Sequence, residues 1–207
     1  MSVHVERPWL TVELNADIRA LSFAPYRPGN VDCGQILWRE VRDADLTREF
    51  NAIEWLAEEV KLPSAVAMLT SRNVETFVHH RVAVGSVVAE AVVTVGLSNA
   101  ERVGLRRQMR AGTGTINIAV ATSAELTMPA RLEAMSIAAS ARTAAVMDAM
   151  IEIESGVATG TGTDCIVVAS PDGSVEFAGM HTEAGEAVGA AVYGAISEGV
   201  SAWLAER

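Results

Sequence analysis

Gly-Thr-Gly-Thr occurs twice in the chain, at 112–115 within "AGTGTINIAV" and at 160–163 within "TGTGTDCIVV". Both copies run straight into a stretch of small and β-branched apolar residues. Such loops offer backbone N–H groups unscreened by side chains, together with the hydroxyls of Thr113, Thr115, Thr161 and Thr163, all of which can hold polar groups of a ligand. The same residues would also serve if the glycines only permitted tight turns and the threonines only satisfied local backbone. The second copy carries more chemistry because Asp164 follows at once, at the mouth of an apolar strand where a carboxylate requires water or partners. If the two strands are neighbours, the loops share one rim.

Neither loop is a phosphate cradle of a standard kind. Those run from strand to glycine loop to helix, so that helix-terminal N–H groups meet the anion, whereas here each loop leads into a strand. There is no Walker lysine, and Cys165 stands where a dinucleotide fingerprint would need its third small residue after Gly160 and Gly162.

Alternation predicts strands at "WLTVEL" (9–14), "IRALSFAP" (18–25) and "CGQILWREV" (33–41), arranged as a meander. From Asp45, Leu46, Phe50, Ile53, Leu56 or Ala57, and Val60 fall on one helical stripe that ends before Pro63. Runs at 65–71, 76–84 and 87–97 predict a central sheet. Ser98 and Glu101 match a capping box, predicting a short helix that carries Arg102, Arg106 and Arg110 on a solvated basic face. The strand 116–122 precedes an alanine- and methionine-rich helix opened by Pro129 and running to about Ile151. After "DCIVVAS", "PDG" turns into a strand "SVEFAG", and Thr182 caps a last helix whose stripe is Val188, Val192, Ile196 and Val200. The fold class is α+β: a largely antiparallel or mixed sheet with about three main helices packed on it, in a single domain over 1–207.

Composition narrows the partners. The chain has 207 residues, half of them apolar, enough for a sizeable core. Its 26 acidic against 16 basic residues give a net charge of −10, which opposes binding to nucleic-acid phosphates and favours a neutral or cationic ligand. No apolar run approaches the roughly 20 residues of a membrane span, and "MSVHVERPWL" lacks a secretory pattern, so a cytoplasmic location without membrane contact is expected. Cys33 and Cys165 lie far apart without a CxxC partner, which suits a reducing compartment and gives no zinc spacing. Self-association into a homo-oligomer is left open.

The runs "TVGLSNAERVG", "GTGTINIAV", "SGVATGTGTDCIVVAS" and "AGMHTEAGEAVGAAVYGAI", in that order, resemble the adenosylcobinamide amidohydrolase family. The resemblance covers about 65–200; residues 1–60, the N-terminal strands and first helix, match loosely. It implies an enzyme of corrinoid salvage that hydrolyses the amide between the aminopropanol arm and a corrin propionate, yielding adenosylcobyric acid. Cobalt would belong to the substrate, with no cofactor and no metal on the protein. The acidic balance agrees with a cationic, amide-studded corrinoid.

Amide hydrolysis needs a nucleophile with a base, donors for the tetrahedral oxyanion and an acid for the leaving amine. For that reaction, position in the chain assigns Asp164 to activate water, the loop N–H groups with Asn99 to hold the oxyanion, and His181 to protonate the departing amine, with Glu186 or His181 as the alternative base. Ser98, Thr115, Asn117, Thr161 and Thr163 contact the substrate. Each has a bland counterpart: Asp164 as a tie for its turn, Ser98 and Asn99 as helix caps, Glu183 as a solvated first-turn acid. Cys165 is expected on the face opposite Asp164 as core filling. His79 and His80, adjacent on a strand, face opposite ways and are poorly placed to share a metal, and Glu90 is expected at a half-exposed strand position. A threonine nucleophile would need a base beside it or a cleavage-freed amine. A corrinoid carrier without hydrolysis, or an amidohydrolase acting on another bulky amide, are the competing functions.

Overall fold

The computed structural model describes residues 1–14, 18–42, 51–105 and 114–207. In chain order the elements are β1 (Ser2–Glu6), β2 (Trp9–Glu13), β3 (Ile18–Ser22), β4 (Gly29–Asp32), β5 (Gln35–Glu40), α1 (Ala52–Glu59), β6 (Ala65–Thr70), β7 (Val78–Val84), β8 (Val87–Val95) and β9 (Ala100–Glu101). Then follow β10 (Ile116–Thr122), α2 (Met128–Asp148), β11 (Glu152–Ile153), β12 (Gly156–Val157), β13 (Gly160–Thr161), β14 (Cys165–Pro171) and α3 (Glu183–Ala205).

Two sheets stack face to face. One has the order β1-β2-β5-β6 and the other β4-β3-β14-β10-β8-β7. Strand alternation sorts the side chains into layers. Leu10, Ile36, Trp38 and Met68 from the first sheet meet Ala119, Val167 and Ala169 from the second. The opposite face of the second sheet, with Val93, Ile118 and Val168, is covered by α2 and α3, while α1 lays Leu56 and Val60 on Leu37 and Ala67 of the first. The result is an α+β architecture of four layers, helix, sheet, sheet, helices.

The last helix matches its expected stripe. Thr182 Oγ1 accepts the Gly185 N–H at 3.0 Å, and Val188, Val192, Ile196 and Val200 are buried. Gly199 is required for the close approach to the sheet, because a Cβ there would stand 2.6 Å from Val95 Cγ2.

Five expectations change. Strand β3 leaves the predicted meander and pairs with β14 in the second sheet, while β6 pairs with β5 in the first instead of joining β7 and β8. Residues 174–179 form no strand, only an isolated bridge from Val175 to Leu126, because β14 is already paired on both sides by β3 and β10. The 98–105 segment is not helical: Ser98 and Asn99 turn, Ala100–Glu101 pairs with Gly160–Thr161, and Arg102 bridges Leu105. Tertiary pairing overrides the capping-box pattern there, Gly104 takes φ +84, and Arg102 binds the Val157 carbonyl at 2.7 Å instead of lying on a solvated face. In α1, Ile53 is exposed; Leu46, Phe50, Arg106, Arg110, Gly112 and Thr113 lie outside the described residues.

Candidate active site

Strands β10 and β14 are parallel neighbours with Asn117 opposite Cys165, so the segments entering them lie side by side. Hydroxyls stitch them together: Thr115 Oγ1 donates to the Thr163 carbonyl at 2.8 Å and Thr163 Oγ1 to the Gly114 carbonyl at 3.0 Å. A third strip joins them, because β9 pairs with β13, placing Glu101 opposite Gly160 and Ala100 opposite Thr161. Gly114 packs so tightly on the Ser98–Asn99 turn that a Cβ would lie 2.8 Å from the Ser98 nitrogen and 3.0 Å from Asn99 Oδ1. Glycine is needed at that crossing.

Asp164 is the hub of this rim. Its Oδ1 accepts the Ile116 N–H at 3.1 Å and the Thr161 hydroxyl at 2.5 Å, and its Oδ2 accepts the Thr161 N–H at 3.0 Å. Arg142 Nη1, from the C-terminal half of α2, ion-pairs with Oδ2, and the aspartate side chain is only 7% exposed. A carboxylate has about four lone-pair sites. Four donors fill them, which leaves no site for an attacking water. Burial disfavours the charge on the Arg142 guanidinium, and the adjacent carboxylate offsets that cost. Gly160 makes room for the pair, since a Cβ there would meet Asp164 Oδ2 at 2.5 Å and Arg142 Nη1 at 2.7 Å.

Ser98, Thr161 and Thr163 reach the surface, with Ser98 Oγ accepting from Arg207 at 3.0 Å, while Asn99 is half-buried. Thr115 and Asn117 lie beneath the rim, 7% and 1% exposed. The Asn117 amide donates to the Leu69 carbonyl at 2.6 Å, tying the two sheets together.

His181 and Glu186 are exposed at the other end of the second sheet. There, Glu183 accepts from the Ser86 N–H at 3.1 Å and its hydroxyl at 3.2 Å, so it fastens the β7–β8 turn instead of being merely solvated. The length of β14 separates this end from Asp164, about 20 Å for a seven-residue strand. Asp164 and His181 therefore do not converge on one bond.

Cys165 faces the layer between the sheets, 6% exposed, and burial pushes its thiol up to about 12. His79 binds Glu90 at 3.0 Å and His80 binds Glu198 of α3 at 2.7 Å, on opposite faces of β7. Among the described residues, no three His, Cys, Asp or Glu side chains gather as metal ligands.

Six buried side-chain nitrogen or oxygen atoms lack a partner among the described residues, and five of them, in Arg72, Thr94, Asn99, Arg142 and Ser155, lie at the rim end. Thr94 stands opposite Asn117, Arg72 packs on Gly96, and Ser155 sits in the turn beside Arg102. Buried polar atoms are ordinarily paired, so this concentration makes the rim the candidate for receiving a polar ligand. A cleft of about 840 Å³ bounded by Trp9, Leu37 and α1 lies on the outer face of the first sheet and contains none of these atoms.

The family model for adenosylcobinamide amidohydrolase matches residues 1–207. The chain belongs to the adenosylcobinamide amidohydrolase family. The match takes in the N-terminal strands and α1, which the sequence motifs alone matched loosely. A search of curated proteins found no match. The amidohydrolase is an enzyme acting on an amide bond, and no helix among its described residues is long and apolar enough to cross a membrane.

Two residues of this amidohydrolase's rim escape a reading by motif. Glu101 reads as a helix-capping acid until β9 pairs with β13, and a Cβ on Gly162 would lie 4.0 Å from its Cγ. Arg142 belongs to no motif, although its place four residues after buried Ala138 on an alanine-rich helix is a signal.

Proposed function

We propose that the amidohydrolase cleaves the amide joining the aminopropanol arm to a propionate of adenosylcobinamide, giving adenosylcobyric acid, and that it does so at the rim of the two Gly-Thr loops. The observation that carries this reading is the convergence of both loops, the Ser98–Asn99 turn and most of the unpaired buried polar atoms at one end of the fold. A corrinoid edge is studded with amides, and unhindered N–H groups with hydroxyls complement it. Ser98, Thr161 and Thr163 receive the substrate from the surface, while Thr115 and Asn117 support them from below. Backbone N–H groups around Gly162, with the Asn99 amide, hold the oxyanion; losing one such donor costs about 3–4 kcal/mol of transition-state stabilisation. Water attacks the carbonyl carbon, the carbon–nitrogen bond breaks, and the aminopropanol nitrogen leaves carrying the transferred proton.

Asp164 orders the loops on this reading, and Glu101, beside Gly162, handles the proton. The enzyme works in the cytoplasm, in keeping with its two unpaired cysteines, and without a protein-bound metal. The test is mass analysis of purified protein with adenosylcobinamide and a chelator: stoichiometric aminopropanol and adenosylcobyric acid are expected. A bound but unchanged corrinoid would establish the carrier reading, which the saturated hydrogen bonding of Asp164 favours. Activity lost on chelation and restored by zinc would overturn the metal-free part.

A further inference from the structure

Two arginines of α2 are largely or fully withdrawn from solvent, and they differ in a telling way. Arg131, fully buried, commits every guanidinium nitrogen: Nε to Ser170, Nη1 to Asn30, and Nη2 to the Leu126 and Pro171 carbonyls and to Asp172. That is a structural arginine, saturated by the fold. Arg142, 17% exposed, bonds to Asp164 through Nη1, and its buried Nε has no partner among the described residues. A buried ion pair is weak evidence for stability, since apolar replacements often serve as well, and an uncommitted buried donor carries a further cost. The helix around it buries Ala138, Ala145 and Val146, so the pair's role lies in the loops it joins and not in core packing. Gly160 is also needed to accommodate this pair within the second loop.

We infer that Arg142 is a positioning residue of the amide-hydrolysing site: through Asp164 it fixes the two segments that enter β10 and β14 at once. This rests on the rim being the hydrolytic site. One Asp164 oxygen holds Ile116 at the start of β10 and the other holds Thr161 and Arg142, so a displacement of the guanidinium moves the two strips of N–H groups relative to each other. The substrate class is an amide of a bulky polar ligand, and the effect falls on turnover more than on initial binding, because donor alignment matters most when the carbonyl oxygen becomes an oxyanion.

The test compares Arg142→Lys with the neutral double variant Arg142→Met/Asp164→Asn, which leaves no unpaired buried charge. For each, kcat and KM for adenosylcobinamide are measured beside the denaturation midpoint. Arg142→Lys keeps a point charge and loses the planar fork. The expected result is a midpoint close to wild type with kcat reduced at least tenfold and KM changed less than threefold. The double variant still sets an amide NH2 against the Ile116 or Thr161 N–H, so it is expected to be less stable than wild type, with kcat per folded molecule reduced a hundredfold or more. Retention of turnover within threefold in either variant would overturn the inference, as would a loss of kcat that merely tracks the folded fraction. Wild-type protein that releases no aminopropanol would instead defeat the underlying functional reading. In that case the positioning role is read from hydrogen exchange at 159–164, expected to rise in Arg142→Lys and to stay unchanged if the arginine orders nothing.

Discussion

Asp164 Oδ1 accepts the backbone N–H of Ile116 at 3.1 Å, so the acid that ends one Gly-Thr-Gly-Thr loop is hydrogen-bonded to the residue that follows the other. With the Thr161 hydroxyl and N–H and Arg142 as its other partners, the carboxylate serves as a clasp between the loops. The consequences of that clasp, and of the separation of its neighbours from the far end of the sheet, can be measured.

Asp164→Asn should lose stability, corrinoid binding and turnover together. An amide nitrogen in place of either oxygen would face N–H donors, and Arg142 would be left as a buried charge without its partner, a situation that costs about 3–5 kcal/mol. The check is a denaturation midpoint and a corrinoid dissociation constant on one preparation. A variant that folds and binds normally but turns over poorly would instead make Asp164 a direct participant in proton transfer.

His181→Ala and Glu186→Gln should each keep kcat within about threefold of wild type, since a positioned acid or base is worth about 10²–10⁴ and neither group is near the rim. Steady-state rates for the two variants decide this. A hundredfold fall in either would place the chemistry at the start of α3.

Cys165→Ala should retain activity, and the native thiol should resist alkylation at pH 8. Burial pushes it up to about 12, so the reactive thiolate is scarce. The stability cost should be smaller than the about 2–5 kcal/mol of a buried Leu→Ala change. Rapid modification of Cys165 in the folded protein, accompanied by loss of turnover, would contradict this.

Glu90 supplies a pH-dependent contribution. Burial pushes its carboxyl upward, but hydrogen bonds and charge from the Met1 ammonium and His79 outweigh that and leave it below the ordinary 4.5. A carboxyl depressed on folding stabilises above its unfolded value and loses that stabilisation as pH falls through the folded value. Glu90→Gln should therefore be less stable than wild type at pH 6, with the difference shrinking below about pH 4.5 as the acid protonates. Urea midpoints at pH 6 and pH 3 provide the measurement, and a difference that does not shrink would be contrary.

Much of the fold is legible in the sequence where local pattern and tertiary outcome agree. The four-residue stripe of α3 and its Thr182 cap are intrinsic to the segment, and the parity of "INIAVAT" and "CIVVASP" gives two faces buried in different layers. What the sequence hides is pairing. Nothing in "WLTVEL" or "IRALSFAP" says that the two strands belong to different sheets, and the capping-box spacing of Ser98 and Glu101 yields to a two-residue ladder with Gly160–Thr161. The site follows the same division. That both loops share one rim could be anticipated from their repeated pattern, whereas the Arg142–Asp164 pair and the remoteness of His181 depend on the direction in which α2 and α3 cross the sheet.

The central claim, that the rim of the two Gly-Thr loops receives the corrinoid, is tested most directly by hydrogen–deuterium exchange with and without the proposed product, adenosylcobyric acid. The account predicts slowed exchange in peptides covering 98–105, 114–117 and 159–164, with little change at 172–186 or in the strands around Trp9. Protection confined to 172–186, or to the cleft beside Trp9 and α1, with the Gly-Thr segments unaffected, would contradict it.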